Sequence, residues 1–386
     1  MPRRWQTPAR TAADPITGRP VRVHLVDATY ELFRAYHAPR PAVRGRDGLP
    51  LTAVAGLVGT LLALLRDEGA THVACAHDRV IRSFRNDLWP GYKTEAGVPA
   101  DLLAQFPVAE EAIVALGIPL WAMVELEADD ALATAAIRFA ADPDVEQVLV
   151  CTPDKDLAQV VRGDRVVLRD RRRDLVYDDA GVRAKWGVAP AAIPDWLALV
   201  GDAADGFPGL PGFGAVAAST LLAAFDSLEG VRAVPSAGWP PRIRGAERLA
   251  TTLDERWADA LLFRDLATLR LDAPLPERAT DELRWGGTDR SEWEAFCGRW
   301  SCRGCIAGRI AGARRRGAAA GTGAPRRACR VSCPVVAPMP ARAAARAGAR
   351  GERAEPREGP CPASKPPGRT RGRRPCRSPW RRRARQ

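Results

Sequence analysis

The sequence predicts an α/β domain built on a mainly parallel sheet, followed by a smaller all-helical domain. Three observations predict it. Short apolar runs alternate with helix-length segments from residue 21 to residue 178. From about residue 179 the strand-like runs stop, and only helical patterns continue to about residue 296. Between two of those helices lies a glycine-rich double turn, Gly201-Asp-Ala-Ala-Asp-Gly-Phe-Pro-Gly-Leu-Pro-Gly-Phe-Gly214, where glycines permit close backbone approach.

Residues 1–20 are polar and hold Pro and Arg, which predicts a flexible arm. Val21 to Val26 is apolar-rich and ends in Asp27, a buried strand. Thr29–Ala38 and Leu51–Glu68 follow as helices, and Thr71–Ala76 as a second strand ending in His77-Asp78. Residues 79–99 are irregular and basic, with Arg79, Arg82, Arg85, Trp89, Tyr92 and Lys93. A helix at about 100–116 leads to a short strand at Ile118–Val124. Glu127–Ala141 reads as a helix with an acidic first turn, Val145–Cys151 as a strand, and Lys155–Val161 as a helix. Arg165–Arg169 and Leu175–Asp178 read as a hairpin or edge strands. Helices are then expected at Asp179–Trp186, Pro190–Val200, Gly214–Ala224, Gly245–Leu253 and Glu255–Leu269.

The 386 residues carry a net charge of +12, but the charge is split. Residues 297–386 hold 24 Lys/Arg against 3 Asp/Glu, while residues 1–296 hold 34 against 43. The body is acidic and only the tail is basic, so the global charge says nothing about the body. That tail, rich in Arg, Ala, Gly and Pro, has too few aliphatic residues to offset its ordering entropy and is expected to be disordered. The body holds only Cys75 and Cys151 before Cys297, which suits a reducing compartment. The longest apolar stretch, Ala53 to Leu65, is short for a membrane span, and no secretory h-region is visible. A cytoplasmic protein is expected.

The acidic residues carry the strongest signal. Asp27 and Asp78 end strands; Glu127, Asp129 and Asp130 open a helix; Asp154 and Asp156 follow the strand ending at Cys151; Asp202 and Asp205 flank the glycine turn. The carboxyl ends of parallel strands face one crevice, so five segments direct nine carboxylates at one rim. Taken singly, Asp27 and Asp154 read as helix caps, and Asp129 and Asp130 as complements of a helix dipole. Taken together they read as a cation site. Oxygen ligands without His favour Mg²⁺ or Mn²⁺ over Zn²⁺. Two such ions suit in-line displacement at phosphorus, hence phosphodiester hydrolysis. No nucleotide-binding P-loop pattern occurs, so no nucleotide cofactor is expected.

In order and spacing, Leu25-Val-Asp27, Phe33-Arg-Ala-Tyr-His37, Ser83-Phe-Arg85, Gly91-Tyr-Lys93, Glu127-Ala-Asp-Asp130, Thr152-Pro-Asp-Lys-Asp156 and Gly201-Asp202 through Gly214 resemble the 5′-nuclease family. The resemblance covers roughly residues 21–270 and is nearest to the 5′–3′ exonuclease domain of bacterial DNA polymerase I and its stand-alone relatives, with flap endonucleases further off. It implies a PIN-like, resolvase-like domain over 21–178 and a helix–two-turn–helix domain over 179–296. It implies one metal at Asp27, Asp78, Glu127, Asp129 and Asp130, and a second at Asp154, Asp156, Asp202 and Asp205. It implies that Arg85 and Lys93 reach the scissile phosphate, and that Tyr92, Gly209, Gly212 and Gly214 contact DNA. Tyr30, Phe33 or Tyr36 could stack on a terminal base, with core packing the alternative for Phe33. The implied partner is DNA with 5′ ends, flaps or nicks, bound by a monomer in a bacterial cytoplasm; no attached polymerase is expected, since only about ninety residues follow the second domain.

Departures from the family pattern lie in the duplex grip. Thr94-Glu-Ala-Gly97 lacks the basic residue expected after Tyr-Lys; Pro211, Ala215 and Val216 stand where lysines are usual; Gly206 replaces an Asn. Fewer phosphate contacts imply weaker binding, a shallower salt dependence and slower or less processive cleavage. In the tail, Cys302-Arg-Gly-Cys305, with Cys329 and Cys333 and no His, is at most half a zinc site. A DNA-binding basic arm is one account of the tail, and translation of a GC-rich gene in a shifted frame from about Cys297 is another. Two further readings of the body are a non-catalytic structure-specific DNA binder and a single-strand or RNA nuclease of the same α/β class.

Overall fold

Asp27 sits at the end of the strand from which the sheet grows outward. In the computed structural model, which describes Arg3–Arg4, Gly18 and residues 20–300, the strands are β1 (Arg3–Arg4), β2 (Val21–Asp27), β3 (His72–Asp78), β4 (Leu120–Met123), β5 (Val145–Cys151), β6 (Val166–Asp170) and β7 (Leu175–Tyr177). Their order is β1-β7-β6-β5-β2-β3-β4. β2 pairs in parallel with β3 on one side and β5 on the other, and β4 and β6 extend the parallel set. β6 and β7 form the antiparallel hairpin, to which β1 adds antiparallel. The arm expected over 1–20 therefore includes a two-residue edge strand. Apolar residues face both sides of β2 and β5 because helices cover both faces.

The helices of the sheet region are α1 (Ala28–His37), α2 (Thr52–Arg66), α3 (Arg85–Leu88), α4 (Ala100–Leu103), α5 (Phe106–Ala115) and α6 (Ala128–Ala140). The helical part holds α7 (Asp179–Trp186), α8 (Ile193–Val200), α9 (Ala215–Phe225), α10 (Leu228–Ala233), α11 (Ala246–Glu255) and α12 (Trp257–Ala267). Asp156–Val160 is a 3₁₀ turn rather than an α-helix. Its brevity lets Asp154 and Asp156 stay beside the end of β5.

The last helix, α13 (Arg290–Trp300), departs from the expected boundary. It runs through Cys297, and Trp293, Phe296 and Cys297 are buried in the same core as Leu102, Phe106 and Ile113. Glu111 accepts hydrogen bonds from Arg299 and from the Trp300 indole at 2.7 and 2.9 Å. Trp285 N–H donates to the Thr71 carbonyl and its indole to that of Leu116. The chain thus leaves the helical part at about residue 284, and residues 285–300 lie on the α/β layer. Short aromatic anchors rather than an aliphatic repeat make this contact, which hid it in the sequence. Residues 301–386, with the expected tail and its cysteines from Cys302 on, lie outside the described residues. Cys75, Cys151 and Cys297 are buried and form no disulfide among the described residues. No helix among those residues is long and apolar enough to cross a membrane.

Candidate metal centre

Parallel register places the ends of β2, β3 and β5 side by side, at the point where the chain crosses from one side of β2 to the other. Asp27 ends β2. Its Oδ1 caps α1 by accepting from Tyr30 N–H at 2.8 Å, and its Oδ2 accepts from Thr152 Oγ1 at 3.0 Å. The cap and the cluster member are one residue. Asp78 ends β3 and accepts from Ala128 N–H at 2.7 Å, which ties β3 to the start of α6. Asp129 projects from that first turn, and Asp154 receives Asp156 N–H at 3.0 Å.

The second group comes from the other side. Asp156 follows β5, while Asp202 and Asp205 come from the glycine turn; one oxygen of each lies within 4.8 Å of the others. Two glycines make this turn possible. A Cβ on Gly201 would stand 2.4 Å from the Pro208 carbonyl carbon, and one on Gly209 would stand 2.3 Å from Gly201 N. Both glycines hold positive φ. A Cβ on Gly206 would meet the Gly91 carbonyl oxygen at 2.1 Å, so a glycine here lets the turn dock against residues 89–93. Trp89 Nε1 donates to the Gly206 carbonyl, and Lys93 N–H to that of Asp205.

Electrostatics join the two groups. Burial, then the neighbouring Asp78 and Asp154, pushes Asp27 up to about 7. Burial, then Asp154 and Asp27, holds Asp129 well above the usual carboxylate range. Burial, then Asp154 and Asp205, does the same for Asp156. Burial also raises Asp78 and Asp205, against the pull of Lys93. The charge of Asp154 thus acts on members of both groups. Asp156 Oδ1 is buried without a hydrogen-bond partner. An acceptor-only, buried and mutually repelling set with an orphaned oxygen fits hard divalent cations.

Two lysines offset part of this charge. Lys93 Nζ lies 2.7 Å from Glu127 Oε2 and 2.9 Å from Asp205 Oδ1. Burial opposes its charge, but Glu127 and Asp205 outweigh burial and hold it well above the ordinary lysine value. Lys155 Nζ bonds to Asp202 Oδ2 and lies 3.8 Å from Asp156 Oδ1. Glu127 opposes the trend of the other carboxylates. Burial raises it, yet Lys93 and Arg85 together bring it below the ordinary value.

Several expected roles are corrected by position. Arg85 is 1% exposed and is not at the rim. Its Nη1 and Nη2 each reach Asp130 at 2.8 Å, Nη1 reaches Glu127 at 3.1 Å, and Nε and Nη2 donate to the carbonyls of Leu266 and Thr268. Asp130 is 0% exposed; besides Arg85 it accepts the backbone N–H of Glu127 and Arg270. Neither is placed to meet phosphate or metal: they form a clasp joining α3, α6 and the end of α12. Glu127 shares that clasp through Arg85 and also accepts from Ser83 Oγ at 2.6 Å. Tyr92 is buried, with its hydroxyl on Asp205 and Glu127 at 3.2 and 3.4 Å, so it does not present a ring to DNA. Gly209 is buried in the turn, whereas Gly212 and Gly214 are exposed. Phe33 packs edge-on against Phe106, and Tyr36 donates to Asp101 at 2.8 Å.

Sequence reasoning passed over Ser83, Thr152 and Lys155, although each stood inside a motif. Hydroxyls and lysines next to motif acids were the available signal. Thr29, whose Oγ1 accepts from Asp78 N–H, lay just outside any motif.

The raised carboxylates set a pH dependence. Between the ordinary carboxylate range and about pH 7 the folded chain holds protons on Asp27 and its neighbours that the unfolded chain has lost. Their contribution to stability therefore falls as pH rises through that window. Glu68, Glu110 and Glu127 shift down, so their contributions are already complete above about pH 5. In EDTA the melting temperature is expected to fall from about pH 5.5 to about pH 7.5, and Mg²⁺ at the higher pH to restore it. A midpoint that is flat or rises across this range in EDTA would contradict the mutual repulsion.

Comparison with known proteins agrees along the chain. The 5′-3′ exonuclease N-terminal resolvase-like domain matches residues 22–187, and the 5′-3′ exonuclease C-terminal SAM fold matches residues 188–291. A 5′-3′ exonuclease of Streptomyces coelicolor is 33% identical over 300 residues, covering 73% of this chain and 97% of that one. DNA polymerase I of Mycobacterium leprae is 36% identical over 272 residues, covering 69% of this chain but only 29% of the polymerase. Among solved structures, the 5′-exonuclease of bacteriophage T5 with bound zinc superposes with a TM-score of 0.51 at 17% identity, over 72% of this chain and 97% of that one. The bacteriophage T5 flap endonuclease solved with DNA and metal ions gives 0.50 at 18% identity, over 68% and 96%. At such identities the structures speak for the fold, and the sequence matches for the family. The chain belongs to the 5′-3′ exonuclease family of nucleases, with a resolvase-like domain followed by a helical SAM fold.

Proposed function

We propose that the protein is a metal-dependent 5′–3′ exonuclease and flap endonuclease that hydrolyses DNA phosphodiesters at 5′ ends, flaps or nicks, using two divalent ions, Mg²⁺ or Mn²⁺. The observation that carries this is the double carboxylate cluster: Asp156, Asp202 and Asp205 within 4.8 Å, adjoining Asp27, Asp78 and Asp129 through Asp154. These seven residues would hold the ions. Bound divalent ions supply Lewis acidity, lowering the cost of water deprotonation and of negative charge on the leaving oxygen.

The chain's own residues prepare the site. Lys93, its side chain 25% exposed, is held by Glu127 and Asp205 and presents a fixed positive charge at the rim for the attacked phosphate. Tyr92 fixes the orientation of both partners of that lysine. The Arg85–Asp130 clasp holds α3, and with it residues 89–93, against the helical part. A monomer acting on nucleoid DNA in a bacterial cytoplasm is the setting this proposal assigns.

The test uses the full chain with a 5′-labelled flap, a nicked duplex, single-stranded DNA and RNA, each in Mg²⁺, Mn²⁺ or EDTA. Short 5′ products from flap and nick are expected with either metal and none in EDTA. Cleavage that survives EDTA, or no cleavage of any substrate, would overturn the proposal.

A further inference from the structure

The exposed face of the glycine turn carries no charge of its own: Pro211, Gly212, Gly214, Ala215 and Val216 line it. The fold brings a cation there from another segment. Arg248 on α11 lays its guanidinium across Gly212, where a Cβ would lie 3.2 Å from Nη1 and 3.4 Å from Nη2. A Cβ on Gly245 would lie 3.8 Å from Nε and 4.0 Å from Nη2. Both glycines hold left-handed φ, +88° and +67°. The guanidinium therefore lies against two residues that have no side chain.

Its electrostatic surroundings set it apart. Neighbouring exposed or half-exposed arginines are paired: Arg232 with Asp254, Arg256 with Asp259, Arg264 with Glu229, and Arg270 with Asp272. The Arg248 side chain makes no ion pair and no hydrogen bond among the described residues. Arg242 and Arg244, just before α11, are exposed as well, and Glu247 is the one acid in residues 242–248. An unpaired guanidinium keeps its fork of donors for an external anion, and fixing it beforehand reduces the entropy lost on binding.

We propose that Arg248, flanked by Arg242 and Arg244, grips a backbone phosphate of duplex DNA beside the glycine turn. It takes over part of the grip that lysines in the turn would give, and so moves the phosphate contact from α9 to α11. The inference rests on the nuclease reading above and adds to it the residues that hold the duplex.

The experiment measures binding of the full chain to a nicked duplex, and to a single strand of equal length, in EDTA over a range of salt. Arg248→Gln is expected to flatten the slope of log affinity against log salt by about 0.9 on duplex, the value of one phosphate contact. Arg248→Lys keeps the slope, because the charge is retained. The triple variant Arg242→Gln/Arg244→Gln/Arg248→Gln flattens it further, and single-strand affinity stays unchanged in all three. Inorganic phosphate at constant ionic strength displaces duplex no better than chloride does. Displacement by phosphate that Arg248→Gln abolishes would reassign Arg248 to free phosphate and overturn the DNA assignment. Wild-type binding with the same slope in Arg248→Gln and the triple variant would overturn this inference alone. Failure of the wild-type chain to bind duplex at low salt would overturn this inference, whereas the nuclease reading falls only with the cleavage test in Mg²⁺ or Mn²⁺.

Discussion

Replacing Asp156 by Asn is expected to abolish cleavage while making the metal-free protein more stable. The two effects have one cause. Asp156 Oδ1 is buried without a hydrogen-bond partner, beside Asp154, Asp202 and Asp205. Without divalent ions Lys155, 3.8 Å away, offsets only part of this carboxylate's repulsion from Asp154 and Asp205, so a neutral amide of the same shape relieves it. With ions, the same oxygen is a hard anionic ligand that an amide replaces poorly. Activity in Mg²⁺ should drop by more than about 10²-fold, the range lost when one group stabilising developing charge is removed. Melting in EDTA should move upward, and the upward shift produced by Mg²⁺ in the wild type should shrink. Full activity in the variant would remove Asp156 from the site. Lost activity with a lowered EDTA midpoint would make it a structural residue instead.

Arg85→Met is expected to act in the opposite way, on the fold before the chemistry. Arg85 is nearly inaccessible and bidentate to Asp130, which is wholly buried. Removing the guanidinium leaves the buried Asp130 without its partner and frees the carbonyls of Leu266 and Thr268. Breaking a buried pair from one side costs about 3–5 kcal/mol. Urea denaturation in EDTA should show a loss of this size, with Arg85→Lys intermediate, since lysine restores charge but not the fork. If Arg85 touched the scissile phosphate, stability would be nearly unchanged and turnover alone would fall.

Most of the sheet was legible because buried parallel strands are written as continuous apolar runs. Val21–Val26 and Val145–Cys151 needed no context to be read. α6 was legible from its acidic first turn. The 3₁₀ turn at Asp156–Val160 was not, because its apolar residues suit any helical form and its tertiary neighbours choose the tighter one. α13 was missed because its three buried side chains are held by α5, far away in sequence. Five segments of carboxylates also marked the site, since these acids end or follow strands, open a helix or sit in the glycine turn. What spacing could not tell was which acids are free. Asp129 and Asp130 are neighbours in one motif, yet one faces the cluster and the other clasps an arginine. Helical geometry turns successive side chains by about 100°, so only the packing of α6 decides which of them sees solvent.

The sequence by itself determined the class of fold, the family and the acidic rim, because these follow from apolar period, motif order and charge at strand ends. Tertiary structure alone decided which charges work and which merely hold. Arg85 is expected at the phosphate on motif grounds and lies buried, whereas Arg248 belongs to no motif and stands unpaired beside the turn. The physical reason is that a charge acts through its solvent exposure and its nearest counter-charge, and both are fixed by contacts between residues distant in the chain.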